Sequence, residues 1–271
     1  MNKKLLIILA LLALLVVVMF SKNLIAKTAL SAGVKAITGL NLSMKSMNVE
    51  IFKTLIGIKE LKLYNPSGFP DKLMIEMPEI YIDYDLGSFL GGRAHFEEIR
   101  LNIKEFFVVK NENGELNLNS LKIVKAGKEG LPKEEKKEAA GMPELKIDML
   151  QLKIGKVIYK DYSAGRAPKI REFKVNIDEK YKNITDPRVF ASLIITKALM
   201  NTTIASLTNF DLGPLTLGLG ETLKGATKIT TDVAGKTLEA GKEIGKEAVE
   251  TVGKAIDKTG ETIKKILPFG K

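Results

Sequence analysis

The chain has 271 residues, 45% hydrophobic and 27% charged, with a mean hydropathy near zero, which excludes collagen-like, wholly disordered and disulfide-rich scaffolds. It has no Cys and one histidine, His95, so thiolate nucleophiles, zinc–thiolate centres and His-based metal cages are excluded, and a Ser-His-Asp site has a single candidate. Lys and Arg exceed Asp and Glu by 42 − 32 = 10, but five of the 42 are Arg and there is no Trp; phosphate forks and base-stacking platforms favour Arg and aromatics, so nucleic acid is not expected as a partner.

Lys3-Lys4 precedes an uninterrupted apolar run, Leu5 to Phe20, closed by Ser21-Lys22. From Lys3 to Lys22 a helix would span about 30 Å, the thickness of a bilayer core. A cleaved signal peptide needs a small-x-small site just after the run. Met19-Phe20-Ser21 fails at its first position, and Ala29-Leu30-Ser31 lies too far downstream. Residues 1–26 therefore read as an uncleaved signal-anchor, with Lys3 and Lys4 holding the N-terminus in the cytoplasm and the bulk of the chain outside it. Residues 23–40 read as a continuing helix, with Leu24, Ile25, Thr28, Ala32, Lys35, Ala36 and Leu40 near helical spacing and Gly39 as a stop, and 27–43 as the connecting helix between anchor and β domain.

From residue 44 the period changes to two, and residues 44–213 read as an antiparallel β domain. Ile58 to Tyr64 alternates, and Asn65-Pro66-Ser67-Gly68 turns the chain. Leu73 to Asp85 resumes, with Ile80, Ile82 and Tyr84 on one face and Tyr81, Asp83 and Asp85 on the other. Ile99, Leu101 and Ile103 alternate with polar residues, and Phe106 to Val109 is continuously apolar. Asn113-Gly114 predicts a hairpin from which Leu116 and Leu118 return antiparallel. A charged loop over 126–142, rich in Lys and Glu, separates this half from the next. There Leu150, Leu152 and Ile154 share a face, as do Val157 and Tyr159; Tyr162-Ser163-Ala164-Gly165 turns the chain, and Phe173, Val175 and Ile177 share the next face. Strand, Ser-containing turn and strand ending in Ile-Asp occur in both halves, which suggests a duplicated unit. One wet and one apolar face fits both a filled sandwich and a sheet curled into a trough. Asp186-Pro187 predicts a capped helix over about 187–208, and Pro214 closes the domain.

Residues 221–267 contain no Pro, and Leu223, Ala226, Thr230, Val233 and onward to Ile266 step by about 3.6 residues, one modestly apolar helical face. Glycines and threonines on it weaken an isolated helix. Two roles fit: an amphipathic helix that folds on lipid, or a spacer.

Reactive constellations are few. His95 beside a predicted strand reads as structural. Asp83 and Asp85, on one strand face, have the chemistry of a cation site, but a solvated face is the simpler reading. No phosphate-cradling Gly loop or paired-carboxylate site stands out. Neither an enzyme, a cofactor nor a metal is expected.

The series Thr38-Gly39-Leu40, Leu61-Lys-Leu-Tyr-Asn-Pro-Ser-Gly-Phe69, Met77-Pro-Glu-Ile-Tyr-Ile-Asp-Tyr84, Ser88-Phe89-Leu90, His95-Phe-Glu-Glu-Ile-Arg-Leu-Asn-Ile103 and Asn113-Gly-Glu-Leu-Asn-Leu118, behind an N-terminal anchor, resembles the AsmA-like family of bacterial envelope proteins. The likeness covers residues 1–125 well and 143–208 more loosely. Such proteins are similar to bridge-like lipid-transfer proteins, whose sheet curls into a groove for acyl chains. The resemblance implies attachment to the bacterial inner membrane, a periplasmic bulk, phospholipid acyl chains and other envelope proteins as partners, and a role in phospholipid movement or outer-envelope assembly. Two features depart from the family. The chain is short, with a sheet of about 40–50 Å along its stacking axis, and it carries the tail of residues 221–267.

The expected fold is thus mainly β with helical ends: a transmembrane helix, a curled antiparallel sheet forming an open β-groove, and a long C-terminal amphipathic helix. The expected groove lining, facing lipid, is Leu61, Leu63, Ile80, Ile82, Ile99, Leu101, Ile103, Leu152, Ile154, Val175 and Ile177. The alternative function is a membrane-tethered structural or stress-protective interaction module without lipid cargo.

Overall fold

The computed structural model describes residues 3–129, 144–165, 167–216, 219–220, 222 and 227–228, with the backbone alone for 4–5, 7–20, 127–129 and 227–228. The chain divides into two units, 1–226 and 227–271. In the second unit Thr227–Lys228 is a short strand, not part of the predicted tail helix; the rest of that helix lies outside the described residues, apart from Thr222.

The first unit is mainly β, and its sheet is not closed. Its strands are β1 (Asn41–Ser43), β2 (Ser46–Glu50), β3 (Leu55–Tyr64), β4 (Leu73–Tyr84), β5 (Ala94–Lys110), β6 (Leu145–Asp161) and β7 (Lys169–Ile184). They lie in the order β1-β3-β4-β5-β6-β7, with β2 also paired to β3. The expected all-antiparallel sheet is corrected at its centre. The two longest strands, β5 and β6, pair in parallel from Ala94↔Leu145 to Lys110↔Asp161. A parallel pair needs a crossover rather than a hairpin, and the segment between them begins with a 3-10 turn (Asn117–Ser120) and a helix, α3 (Lys122–Glu129).

That crossover overturns the predicted return strand through Leu116 and Leu118. One bridge forms, Lys110↔Leu116. The Asn117 side chain then takes the place of a strand backbone: its Oδ1 accepts from Val109 N at 3.0 Å and its Nδ2 donates to Phe107 O at 2.9 Å. With those groups satisfied, the chain is released from the sheet and Leu118 is buried in the 3-10 turn. The charged loop expected at 126–142 likewise begins later, because α3 runs to Glu129; residues 130–143 lie outside the described ones.

Helix α1 runs unbroken from Lys3 to Thr38, so the predicted anchor and connecting helix are one element. It stops before residue 43, where β1 already begins at Asn41, because Gly39 adopts a φ of +79° that ends a helix readily. Among the described residues no helix is long and apolar enough to cross a membrane. The helix predicted over 187–208 is two: α4 (Pro187–Met200) and α5 (Ile204–Thr208). The Asp186 side chain caps α4 by accepting from Arg188 N at 2.7 Å, and Pro187 opens it. Two short helices, α2 (Leu86–Leu90) and α6 (Gly213–Thr216), complete the unit.

One irregularity crosses the sheet. Inward residues in a strand recur every second position, yet four strands each carry an inward pair three apart: Ile58 and Leu61, Met77 and Ile80, Ile103 and Phe106, Ile154 and Val157, all in one core cluster. The pairs align, Ile58↔Ile80 with Leu61↔Met77, and Ile103↔Ile154 with Phe106↔Val157. Between them Glu60 holds a φ of +50°, Pro78 has no N–H to donate, and a Cβ on Gly155 would lie 3.0 Å from the Lys104 carbonyl oxygen. In β7 the register with β6 shifts by one residue at the same level, where Asn176 has a φ of +45°.

Candidate functional site

The apolar face of the sheet is built in cross-strand rows. Ile58, Ile80, Leu101 and Leu152 form one row over β3–β6, and Ile56, Ile82, Ile99 and Leu150 form the next. Ile103, Ile154 and Ile177 form a third over β5–β7. The eleven residues expected to line a groove come together in one cluster. Ten are buried, and Val175 is half-buried against the same cluster.

Helices cover part of this face. The end of α1 lies against β1 and β2, and α4 lies against β6 and β7. Leu193, Ile195, Ala198 and Leu199 of α4 and Leu30 and Val34 of α1 join the cluster.

The first row ends in a charge, because Leu152 pairs with Glu179 of β7. Glu179 is 6% exposed. Its Oε2 lies 2.8 Å from Nζ of Lys197 on α4 and also accepts from the Tyr181 hydroxyl. The Lys197 ammonium lies 5.7 Å from the centre of the Tyr181 ring. Burial, then the bond to Glu179, pushes the Tyr181 hydroxyl far above its ordinary range. On α4, Thr196 Oγ1 is buried with no hydrogen-bond partner among the described residues. Sequence reasoning missed this cluster, although the signal was present: the alternation that turns Ile177 inward turns Glu179 and Tyr181 inward too. The arrangement offers an apolar wall with one paired charge at its β7 side. It suits passive shielding of hydrocarbon, since a lone charge in such a wall would be costly.

The other candidates resolve into local structure. His95 Nε2 on β5 lies 2.8 Å from Asp148 Oδ2 on β6, and Lys146 Nζ lies 2.8 Å from Asp148 Oδ1. The bonds from Lys146 and His95 hold the Asp148 carboxyl below its ordinary range. Asp83 accepts from Thr54 Oγ1 at 3.2 Å. The prediction that Asp85 shares a strand face with Asp83 is corrected, because β4 ends at Tyr84 and Asp85 caps α2 by accepting from Ser88 N. That bond, foremost, holds its carboxyl below the usual range.

At the far end of the sheet the two hairpin turns meet. Asp71, after the β3–β4 turn, accepts from Lys160 Nζ at 2.8 Å and from the Tyr162 hydroxyl at 2.7 Å. Phe69 and Leu73 pack there on Phe107, Val109, Ile158 and Tyr162, a second small cluster.

No protein-family model, no curated protein and no solved structure matches this chain.

Proposed function

We propose that the protein is a non-enzymatic, AsmA-like envelope protein, anchored in the bacterial inner membrane with its bulk in the periplasm, that handles phospholipid along the apolar face of its sheet. The carrying observation is the continuity of that face: three aligned apolar rows over a sheet that does not close. Acyl chains would lie on the rows while headgroups stay wet. The helical backbone of α1 through Leu5–Phe20 supports its use as a single-pass anchor, N-terminus cytoplasmic. The tail beyond Lys228, to residue 267, would fold as an amphipathic helix on lipid. Other envelope proteins are the second class of partner.

A second reading, a tethered structural or stress-protective module without cargo, is favoured by a different observation. Ten of the eleven wall residues are buried in the chain alone, as in a filled core. Native mass spectrometry of the full chain purified in detergent separates the two. Co-purified phospholipid masses are expected, and a protein that carries none after purification from its own membrane supports the second reading.

A further inference from the structure

We propose that one end of the sheet, the end bearing the β2–β3 turn and α2, is a membrane-docking surface whose apolar tips, Phe52 and Leu90, insert into the bilayer interface beside α1. Strand register defines that end: Glu50↔Leu55, Leu55↔Asp83, Asp83↔Glu98, Ala94↔Leu145 and Ile147↔Ile184 all lie on it. Phe52 is 92% exposed and Leu90 82%. Both side chains are held out by ordered supports. The turn carrying Phe52 is tied to β4 by Tyr84 N donating to Thr54 O at 3.0 Å. Beside Leu90, Phe89 packs edge-on against Tyr84 and Phe96, with ring centres 5.4 Å apart in each case.

The position of α1 identifies the occupant. Val49 N, near the end of β2, donates to Asn23 Oδ1 at 2.9 Å. The helix then runs to Thr38, and the chain enters β1 at Asn41, opposite Tyr64 at the other end of the sheet. Residues 23–38 therefore lie along the sheet, and the run Leu5–Phe20 leaves it at the Phe52 end. Leu24 and Ile25, 67% and 60% exposed, stand just where the run ends. Exposed Phe and Leu in small clusters suit an interfacial position. Three basic groups at this end are matched by carboxylates, Lys53 with Glu50 at 2.8 Å, Lys146 with Asp148 at 2.8 Å and Arg188 with Asp186 at 3.2 Å. Docking rests on the apolar tips and is expected on neutral as well as anionic lipid. It places the mouth of the apolar face at the bilayer, and so rests on the anchor and lipid-handling reading above.

The absence of Cys allows an unambiguous test in the full chain. Single variants Phe52→Cys and Leu90→Cys at this end, Ser67→Cys and Asn113→Cys at the other end, and Leu12→Cys in the apolar run are labelled with a polarity-sensitive fluorophore. Each is reconstituted into phosphatidylcholine vesicles, with and without phosphatidylglycerol, and probed with shallow and deep lipid quenchers. Labels at 52 and 90 should brighten several-fold and be quenched by shallow probes in both lipids, while 67 and 113 stay water-like. Labels at 52 and 90 quenched no more than those at 67 and 113 overturn the docking surface, whatever happens at 12. A label at 12 beyond reach of deep quenchers overturns the anchor alone; quenching at 52 and 90 in that case still supports docking.

Discussion

The ammonium of Lys197 on α4 stands 2.8 Å from the carboxylate of Glu179 on β7, with both side chains largely buried. Helix and sheet are thereby joined by a charge pair inside an otherwise apolar contact. Such a pair gains little over a hydrophobic pair of similar size, but loss of one member leaves the other charged and unmatched. Lys197→Met should therefore destabilise the fold by about 3 kcal/mol, while adding Glu179→Leu to it should recover most of the loss. Urea denaturation of both variants checks the sign and the recovery.

Gly155 and Gly57 both lie in strands but predict opposite outcomes. Gly155→Ala brings its Cβ within 3.0 Å of the Lys104 carbonyl oxygen, a backbone atom that cannot swing away. The cost should be about 1–3 kcal/mol. At Gly57 a Cβ meets nothing within 4 Å, and Gly57→Ala should be neutral or stabilise by about 0.5 kcal/mol through the unfolded chain. Thermal melts of the two variants give the contrast.

Asn117→Leu should cost about 2–3 kcal/mol, since Val109 N–H and Phe107 C=O would lose their partner in a buried place. Asn65, whose Oδ1 accepts from Asn117 Nδ2 at 2.8 Å, would be freed as well. Amide exchange at Val109 should accelerate in this variant more than elsewhere in β5.

Alkaline pH should loosen the far end of the sheet first. The Tyr159 and Tyr162 hydroxyls are pushed up to about 12, by burial first and then by Asp161 and Asp71 respectively. A tyrosine that ionises near 10 when unfolded and near 12 when folded contributes stability that is whole below pH 10 and lost as pH rises through 12. Ultraviolet titration of tyrosine should show these two ionising late, and Asp71→Asn should lower the midpoint of Tyr162.

Ile82→Glu separates cargo wall from core. A lipid-lined face tolerates the charge when lipid is absent and loses its bound phospholipid, so the melting transition is expected to persist while co-purified lipid falls. Loss of the transition instead marks a filled core.

Much of this fold was legible in period-two runs. β3, β4, β6 and β7 fall where alternation placed them, and Asp186-Pro187 opens α4. The parallel pairing of β5 with β6 was not legible, because alternation states which face a residue takes and nothing about its neighbour's direction. The broken return strand at Leu116 escaped for a different reason: Asn113-Gly114 signals a turn, but no local signal says that the Asn117 amide will replace a strand backbone. Glu179 was overlooked because a Glu is assumed to face water, although its position between Ile177 and Tyr181 assigned it inward.

The inward pairs three residues apart have a consequence for strand pairing. A strictly alternating strand repeats itself every two positions, so a slide of two residues keeps every side chain on its proper face. Ile58-Lys-Glu-Leu61, Met77-Pro-Glu-Ile80, Ile103-Lys-Glu-Phe106 and Ile154-Gly-Lys-Val157 break that repeat once per strand. A two-residue slide of β3 on β4, or of β5 on β6, would now bring an inward side chain opposite an outward one at the break. Each break thus serves as an index mark, like the offset tooth of a key. Between β3 and β4, and again between β5 and β6, it leaves one alignment in which the inward pair of one strand meets the inward pair of the other.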